Sequence, residues 1–282
     1  MNWLAYSLFA LFTFTIYELL SRHLSVESKN PLAFGAVFYF AGALVTPILF
    51  FIQPIPAIHI SPVTLLSTLF GLVAWILFGR IEYSSHKYVE ASVLTILIRL
   101  GPVITFVLSV LFLREALTAV KMIALLLTII ASVLVVQLPT LKELKKSRHI
   151  IYGVVLGVVL GVAWTFDKVL TPVYGVIVYS LMTFLAPAIS NVLFPRMPMK
   201  ALIAELRRAS WKLWILALSD IIGYGAMLKA LTIGDASSVI PVATATPPLV
   251  VLGGALLLGE RSNMTKKIIA VLLVIVAIYL MR

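Results

Sequence analysis

Two ionisable side chains interrupt long apolar segments of this sequence, where a charge is costly. Asp220 lies in the run 212–232 and Arg99 lies in the run 91–113. An ionised side chain at the centre of a bilayer costs at least about 2.5–3.5 kcal/mol, so it usually faces a polar cavity or a partner. Asp220 and Arg99 are therefore predicted to contact a polar solute or to couple an ion. The alternatives are a buried Arg99–Asp220 pair, or an arginine satisfied by backbone carbonyls at a kink near Pro102.

Aromatic residues could line the same cavity and stack on a planar or cationic solute. Trp75 occupies the position that Asp220 occupies 145 residues later, and Tyr224 follows Asp220 at helical spacing. Aromatic residues in membrane helices more often pack or anchor at the interface, which is the alternative for each of them. Further aromatic candidates for the binding site are Trp164, Tyr17, Tyr39 and Tyr179.

Glu18 and Asp167 lie near the expected ends of two other apolar runs, beside Arg22 and Lys168. If the two halves of the chain are inverted, these carboxylates would lie at opposite mouths of a cavity, where they could gate it or couple a proton. Charges near a helix end can also reach the headgroups at little cost, and this alternative is favoured for both. It is less favoured for Glu18, which lies a full turn inside Arg22.

Other chemistry finds little support in the sequence. There is no cysteine, no phosphate-binding loop, no nucleophile elbow and no His–Glu metal motif. No catalytic residue, metal or cofactor is therefore predicted, although two membrane carboxylates could still act as acid and base. The four histidines all fall near expected loops, at His23, His59, His86 and His149.

The elements that carry these residues are predicted to be membrane-spanning helices. The chain is 62% hydrophobic and 12% charged, whereas soluble domains carry about a quarter charged residues. Its apolar runs are long enough to cross roughly 30 Å of hydrocarbon. The first run lacks a basic leader and a cleavage pattern, so it is predicted to be retained. The ten runs are 3–21, 31–52, 63–80, 91–113, 119–138, 150–170, 172–194, 212–232, 236–258 and 266–281.

An internal duplication relates the two halves of the chain. At one offset of 145 residues, Glu115 matches Glu260, Pro102 matches Pro247, and Lys121 matches Lys266. Five spans in each half would invert the second copy. The predicted fold is therefore an all-α integral membrane protein with ten transmembrane helices as two inverted five-helix repeats. The predicted segments are residues 1–138, a basic connecting loop at 139–149, and residues 150–282.

Two kinds of repeated residue are assigned structural roles. Glu115 and Glu260 each end an apolar run, and each could accept backbone N–H groups at the start of the helix that follows. They are predicted to hold helix corners rather than to bind a solute. Pro102 and Pro247 free carbonyl groups and bend helices, which suits broken helices near a midplane site, although a static kink is the alternative.

The repeated motifs resemble those of the EamA family of the drug/metabolite transporter superfamily. The resemblance covers the full chain, and Arg114 departs from the glycine usual before the first glutamate. It implies a carrier with a central cavity between inverted halves and with both termini in the cytoplasm, while the family's varied metabolites leave the substrate open. The motifs are Glu90-Ala91-Ser92-Val93, Leu100-Gly101-Pro102-Val103, Leu113-Arg114-Glu115-Ala116-Leu117-Thr118, Gly234-Asp235-Ala236-Ser237, Pro247-Pro248 and Leu258-Gly259-Glu260-Arg261.

The expected function is secondary transport of a small polar metabolite by alternating access, with proton coupling through Asp220 or Glu18 as an option. The alternatives are a flippase for lipid-linked headgroups, a membrane enzyme, or a non-transporting scaffold. The expected location is the cytoplasmic membrane of a prokaryote, as a monomer or homodimer whose partners are a small-molecule substrate and lipids. The net charge of +11 is assigned to loops that meet headgroups rather than to nucleic acid. The loops after odd-numbered spans carry most of it, which would place both termini outside and conflicts with the family resemblance.

Overall fold

The computed structural model describes residues 2–135, 150–194, 196–257 and 263–282, and over these residues the chain forms only helices and their connections. A 3₁₀ helix, Thr46–Phe51, extends the second helix. The α-helices are α1 (Trp3–Glu27), α2 (Pro31–Val45), α3 (Pro62–Tyr88), α4 (Ala91–Ile98), α5 (Leu100–Phe112), α6 (Ala119–Val135), α7 (Ile150–Leu193), α8 (Met199–Ile233), α9 (Ala236–Ala243), α10 (Thr246–Leu257) and α11 (Met264–Met281).

These helices have the length and composition of membrane spans. Among the described residues, eight segments are long and apolar enough to cross a bilayer, and the 17-residue α6 adds a shorter apolar helix. The predicted class of an all-α integral membrane protein is confirmed at this level.

The 44-residue helix α7 is too long for a single span, since it would extend about 66 Å at 1.5 Å per residue. Gly175 interrupts it with a φ of 72° and a ψ of 165°. A Cβ at this position would lie 2.4 Å from a ring carbon of Pro56. Both the backbone conformation and the close approach therefore require glycine where the chain turns.

Local sequence signals set several helix starts. The side chains of Asn2, Asn30 and Ser61 each accept a hydrogen bond from the backbone N–H three residues later. Each thereby satisfies one of the N–H groups that the first helical turn leaves without a partner. Pro31 and Pro62 begin α2 and α3, a position at which the missing N–H of proline costs nothing.

Two helical segments are broken at equivalent places. Helix α4 ends at Ile98 and helix α9 ends at Ala243, in each case four residues before a proline. The ring of a proline clashes with the carbonyl group four residues earlier, which ends the helix there. Pro102 and Pro247 therefore flank true breaks, as the sequence predicted. Arg99 lies at the first break and Thr244 at the second, 145 residues apart.

The packing joins the two halves of the chain closely. Helix α1 packs against α8, α3 against α7, and α6 against α11, while α2 contacts both α7 and α8. Glycines allow α7 to approach the broken segment, because a Cβ on Gly157 would lie 2.4 Å from the Leu97 carbonyl oxygen. A cavity remains between the halves at the centre of this arrangement.

Helix α8 is interrupted at Ser210, where φ is 51° and ψ is −140°, so its apolar part begins close to the predicted residue 212. Two other helices extend beyond the predicted apolar runs. Helix α1 continues to Glu27 rather than ending at residue 21, and α3 continues to Tyr88 rather than to residue 80. The added turns carry polar side chains, which end an apolar run without ending a helix. Some of these polar side chains line the cavity.

Candidate functional site

The central cavity has a volume of about 560 Å³, within the usual range of about 300–1,000 Å³ for ligand sites. It extends along α1 and α3 from Tyr17 and Trp75 to Arg22 and His86, towards the C-terminal ends of both helices. The structure brings seven of the eight predicted binding residues together around it, namely Asp220, Arg99, Trp75, Tyr224, Trp164, Tyr17 and Tyr39. Tyr179 does not line the cavity, and its hydroxyl group donates to Asp167.

Arg99 joins the two broken segments. Its Nη1 donates a hydrogen bond to the carbonyl oxygen of Thr244, at the other break. Its Nη2 lies 3.8 Å from Glu18 Oε1, so its ion pair is with Glu18 rather than with Asp220. Thr246 Oγ1 donates to the same Glu18 oxygen at 2.5 Å. The arginine is thus satisfied in part by a carbonyl freed by a helix break, but the break belongs to the other half of the chain.

Glu18 lies in the cavity wall, and the favoured alternative of a charge that reaches the headgroups is wrong. Helix α1 continues for nine residues beyond it, to Glu27. Its carboxylate meets Arg99 and Thr246 in the interior instead. The predicted gating or coupling role of Glu18 remains a prediction.

Asp167 occupies a different position from the one expected. It is fully buried in α7, and Oδ1 accepts hydrogen bonds from Trp75 Nε1 and Tyr179 Oη, both at 2.9 Å. The expectation that it lies at a cavity mouth or at the headgroups is therefore wrong. The sequence missed this because Asp167 lies near the end of an apolar run, whereas the helix itself continues to the turn at Gly175. Asp167 fixes the orientation of the Trp75 indole, which does line the cavity.

Glu82 is a cavity residue that the sequence analysis missed. It is 3% exposed, and its two carboxylate oxygens accept hydrogen bonds from Tyr17 Oη at 2.5 Å and Tyr39 Oη at 2.6 Å. Asp220 lies in the same part of the cavity and interacts electrostatically with Glu82. Helical spacing could have found Glu82, because it follows Trp75 by seven residues on the same face of α3. The predicted apolar run ends at residue 80, so Glu82 lies outside the predicted span.

Aromatic rings form the wall beside Asp220. The Trp75 and Tyr224 rings meet edge to face, with centroids 5.4 Å apart, and Phe184 lies 6.0 Å from Tyr224. Tyr224 is 3% exposed, and its hydroxyl group interacts with the Asp167 carboxylate. This end of the cavity therefore combines carboxylates and aromatic rings.

Comparison with known proteins agrees with this architecture. Residues 1–137 match the EamA-like transporter family. Over these residues the chain is similar to members of that family. The family is one of membrane transporters of the drug/metabolite type, which agrees with the transporter class predicted from sequence and with a protein that is not an enzyme. No curated protein matches the chain. One solved crystal structure, described only as that of a protein, is similar with a TM-score of 0.68 and 16% identity, over 96% of this chain and 95% of its own. That similarity concerns the fold alone.

The end of the cavity at Trp75 is closed by contacts between the halves. On the far side of Trp75 in α3, the Thr68 and Tyr174 hydroxyl groups are 2.9 Å apart. Nearer the surface, Lys121 Nζ forms an ion pair with Asp235 Oδ2 at 2.7 Å. These contacts hold helices of one half against helices of the other.

Glu115 adds to this closure, and its predicted partner was wrong. Its carboxylate oxygens accept the backbone N–H groups of Ala236 at 2.7 Å and Ser237 at 2.9 Å, at the start of α9. It therefore caps a helix of the other half rather than α6, the next helix in sequence. The free N–H groups and the positive dipole end of α9 provide the attraction. Glu260 lies outside the described residues.

Proposed function

We propose that this protein is a secondary transporter that carries a small polar metabolite across the membrane by alternating access. The observation that carries the proposal is the cavity between the two halves, lined by charged groups of both and closed at one end by contacts between them. A cavity that is lined by charged groups and large enough for a small solute supports a solute carrier over a scaffold, whose centre would be filled by side chains.

The proposal includes ten spans in two inverted repeats. The turn at Gly175 divides α7 into two parts of span length, and α4 with α5, like α9 with α10, make one broken span each. With α1, α2, α3, α6, α8 and α11 this gives ten. The proposed repeats are residues 1–138 and 150–282, and the basic segment 139–149 between them lies outside the described residues.

Equivalent contacts in the two halves support the repeats. Arg22 Nη1 donates to the carbonyl oxygen of His86 at 3.4 Å, and Lys168 Nζ donates to that of Leu231 at 2.7 Å. These pairs correspond at offsets of 146 and 145 residues. At the closed end Lys168 also donates to the carbonyl oxygen of Gly234 at 2.8 Å. The same contact is thus tighter at the closed end, as expected if the halves exchange conformations.

Alternating access requires the closing contacts to exchange between the two ends. Lys121 and Asp235 close the end near Trp75, and their repeat equivalents are Lys266 and Glu90. We propose that the second pair approaches when the first separates. Discontinuous helices that meet at a midplane site provide the flexible points for such a movement in many transporters.

Cross-linking tests this mechanism in a chain that has no native cysteine. The protein is first screened by thermal shift against amines, amino acids, sugars, nucleosides and carboxylates, and the class that stabilises it is used in counterflow from proteoliposomes. Cysteines at Lys121 and Asp235, joined by a bifunctional thiol reagent, are expected to abolish counterflow, and reduction to restore it. Cysteines at Glu90 and Lys266 are expected to trap the opposite state with the same loss.

Variants with a single cysteine, treated with the same reagent, are the matched controls and should keep their activity. Counterflow that persists in both cross-linked variants would contradict alternating access. Absence of counterflow in the unmodified protein for every class that binds would contradict transport itself. The location in a prokaryotic cytoplasmic membrane and the monomeric or homodimeric state are part of the same proposal.

A further inference from the structure

The charges of the cavity are unbalanced. Among the described residues, four carboxylates and two guanidinium groups line it, which gives a formal net charge of −2 with histidine neutral. Taking a charge out of bulk water is costly unless an opposite charge compensates it. The lining acidic residues are Glu18, Glu82, Glu90 and Asp220, and the basic ones are Arg22 and Arg99.

Each of the two guanidinium groups interacts with one of the carboxylates. Arg99 pairs with Glu18 at 3.8 Å, and Arg22 interacts electrostatically with Glu90. No cation of the described chain contacts Asp220, and the two oxygens of Glu82 are bonded only by tyrosine hydroxyl groups. The acidic groups of the cavity that no cation of the described chain compensates are therefore Asp220 and Glu82.

The surroundings of this pair are suited to a cation. The rings of Trp75, Tyr224 and Phe184 line the cavity next to Asp220, and aromatic faces attract cations within about 6 Å of the ring centroid.

We infer that the cavity binds the ammonium group of an amine, with the cation between Asp220 and Glu82 and an apolar body against Trp75 and Tyr224. The inference rests on the proposed transport function and specifies its substrate class. Two kinds of compound supply such an ammonium group, a simple amine and an amino acid with its α-amino group. Arg99 is already occupied by Glu18 and Thr244, so a carboxylate is not required for binding.

Four probes with one phenyl body test the inference on the purified protein. These are 2-phenylethylamine with a cation, phenylalanine with both charges, 3-phenylpropionate with an anion, and 2-phenylethanol with none. Titration calorimetry or thermal shift is expected to show the amine binding at least about tenfold more tightly than the alcohol. Phenylalanine distinguishes the two sources, because equal or tighter binding than the amine indicates an amino acid.

Three results would overturn the inference. They are equal binding of amine and alcohol, tighter binding of the propionate than of the amine, and no binding of any probe at tens of millimolar. This comparison uses the unmodified protein, so it does not depend on the folding of a variant.

Variants then locate the cation. Asp220→Asn keeps the shape of the side chain and is expected to weaken amine binding about tenfold or more while leaving the alcohol unchanged. Glu27→Gln is the matched control, since the Glu27 side chain is 47% exposed and outside the cavity. Unchanged amine affinity in a folded Asp220→Asn variant contradicts the site.

Failure of this inference and failure of transport give different results. Amine binding without counterflow would support the ligand class and contradict the transport proposal. Counterflow of another metabolite, without amine binding, would support transport and contradict the ligand class.

Discussion

The ion pair between Glu18 and Arg99 holds together the centre of the fold, and its energy can be tested by a double-mutant cycle. Arg99 is 8% exposed and lies between the two helix breaks, so its charge depends on the groups that surround it. At 3.8 Å, two unit charges attract by roughly 4 kcal/mol at an effective dielectric constant of about 20. The Glu18 side chain is 34% exposed, however, and water in the cavity screens the pair.

We therefore expect a coupling energy of about 1–2 kcal/mol between Glu18→Gln and Arg99→Met. Glutamine retains an oxygen that accepts the Thr246 hydroxyl group, so the substitution mainly removes the charge. The bond from Arg99 to the Thr244 carbonyl oxygen is lost in both the single and the double variant, and it cancels in the cycle.

The free energy of unfolding of each variant is measured by titration with SDS from mixed micelles. The Lys121–Asp235 pair is the control, because the Asp235 side chain is 51% exposed and such pairs contribute about 0–1 kcal/mol. A Glu18–Arg99 coupling below about 0.5 kcal/mol, or one no larger than that of the control pair, would refute the interpretation that Glu18 compensates the charge of Arg99.

Three further predictions concern the turn in α7, the start of α9 and the orientation of the chain. Gly175→Ala is expected to cost at least about 1–2 kcal/mol in SDS titration, because φ is 72° there; Gly253→Ala, whose Cβ would meet nothing closer than 3.7 Å, is the control and should cost less. Glu115→Gln is expected to cost about 1 kcal/mol and to speed hydrogen exchange of the first two amides of α9, and unchanged exchange would contradict the cap. Reporter fusions after residue 282 and within 196–198 are expected to report opposite sides of the membrane, since an odd number of proposed spans separates them; identical reports contradict the ten-span count.

The class of the protein and several of its boundaries follow from local sequence patterns. Long apolar runs specify membrane helices because unsatisfied backbone groups are too costly in hydrocarbon. The helix breaks before Pro102 and Pro247 can also be predicted from the sequence, because the clash of a proline ring with the carbonyl group four residues earlier is a local effect. The grouping of Asp220, Arg99 and Trp75 around one cavity was expected from the cost of charges at membrane depth.

The hydrogen-bond and ion-pair partners of these residues could not be predicted from the sequence. The hydrogen bond from Tyr17 to Glu82 spans 65 positions, and that from Ala236 to Glu115 spans 121. No local pattern specifies such a contact, because it depends on how helices from the two halves pack. The polar turn that carries Glu82 also ended the apolar run, so the residue was missed although its helix continued.

The sequence by itself determined which segments form long apolar helices, where two of them break, and that charged side chains within them face an interior site. Only the tertiary structure decided which charges neutralise each other. It paired Arg99 with Glu18 and left Asp220 beside Glu82 without a cation of the described chain. The physical reason is that the free-energy cost of burying a charge can be assigned to a single residue in its own helix. Compensation of that charge depends instead on distances between helices that are far apart in the chain.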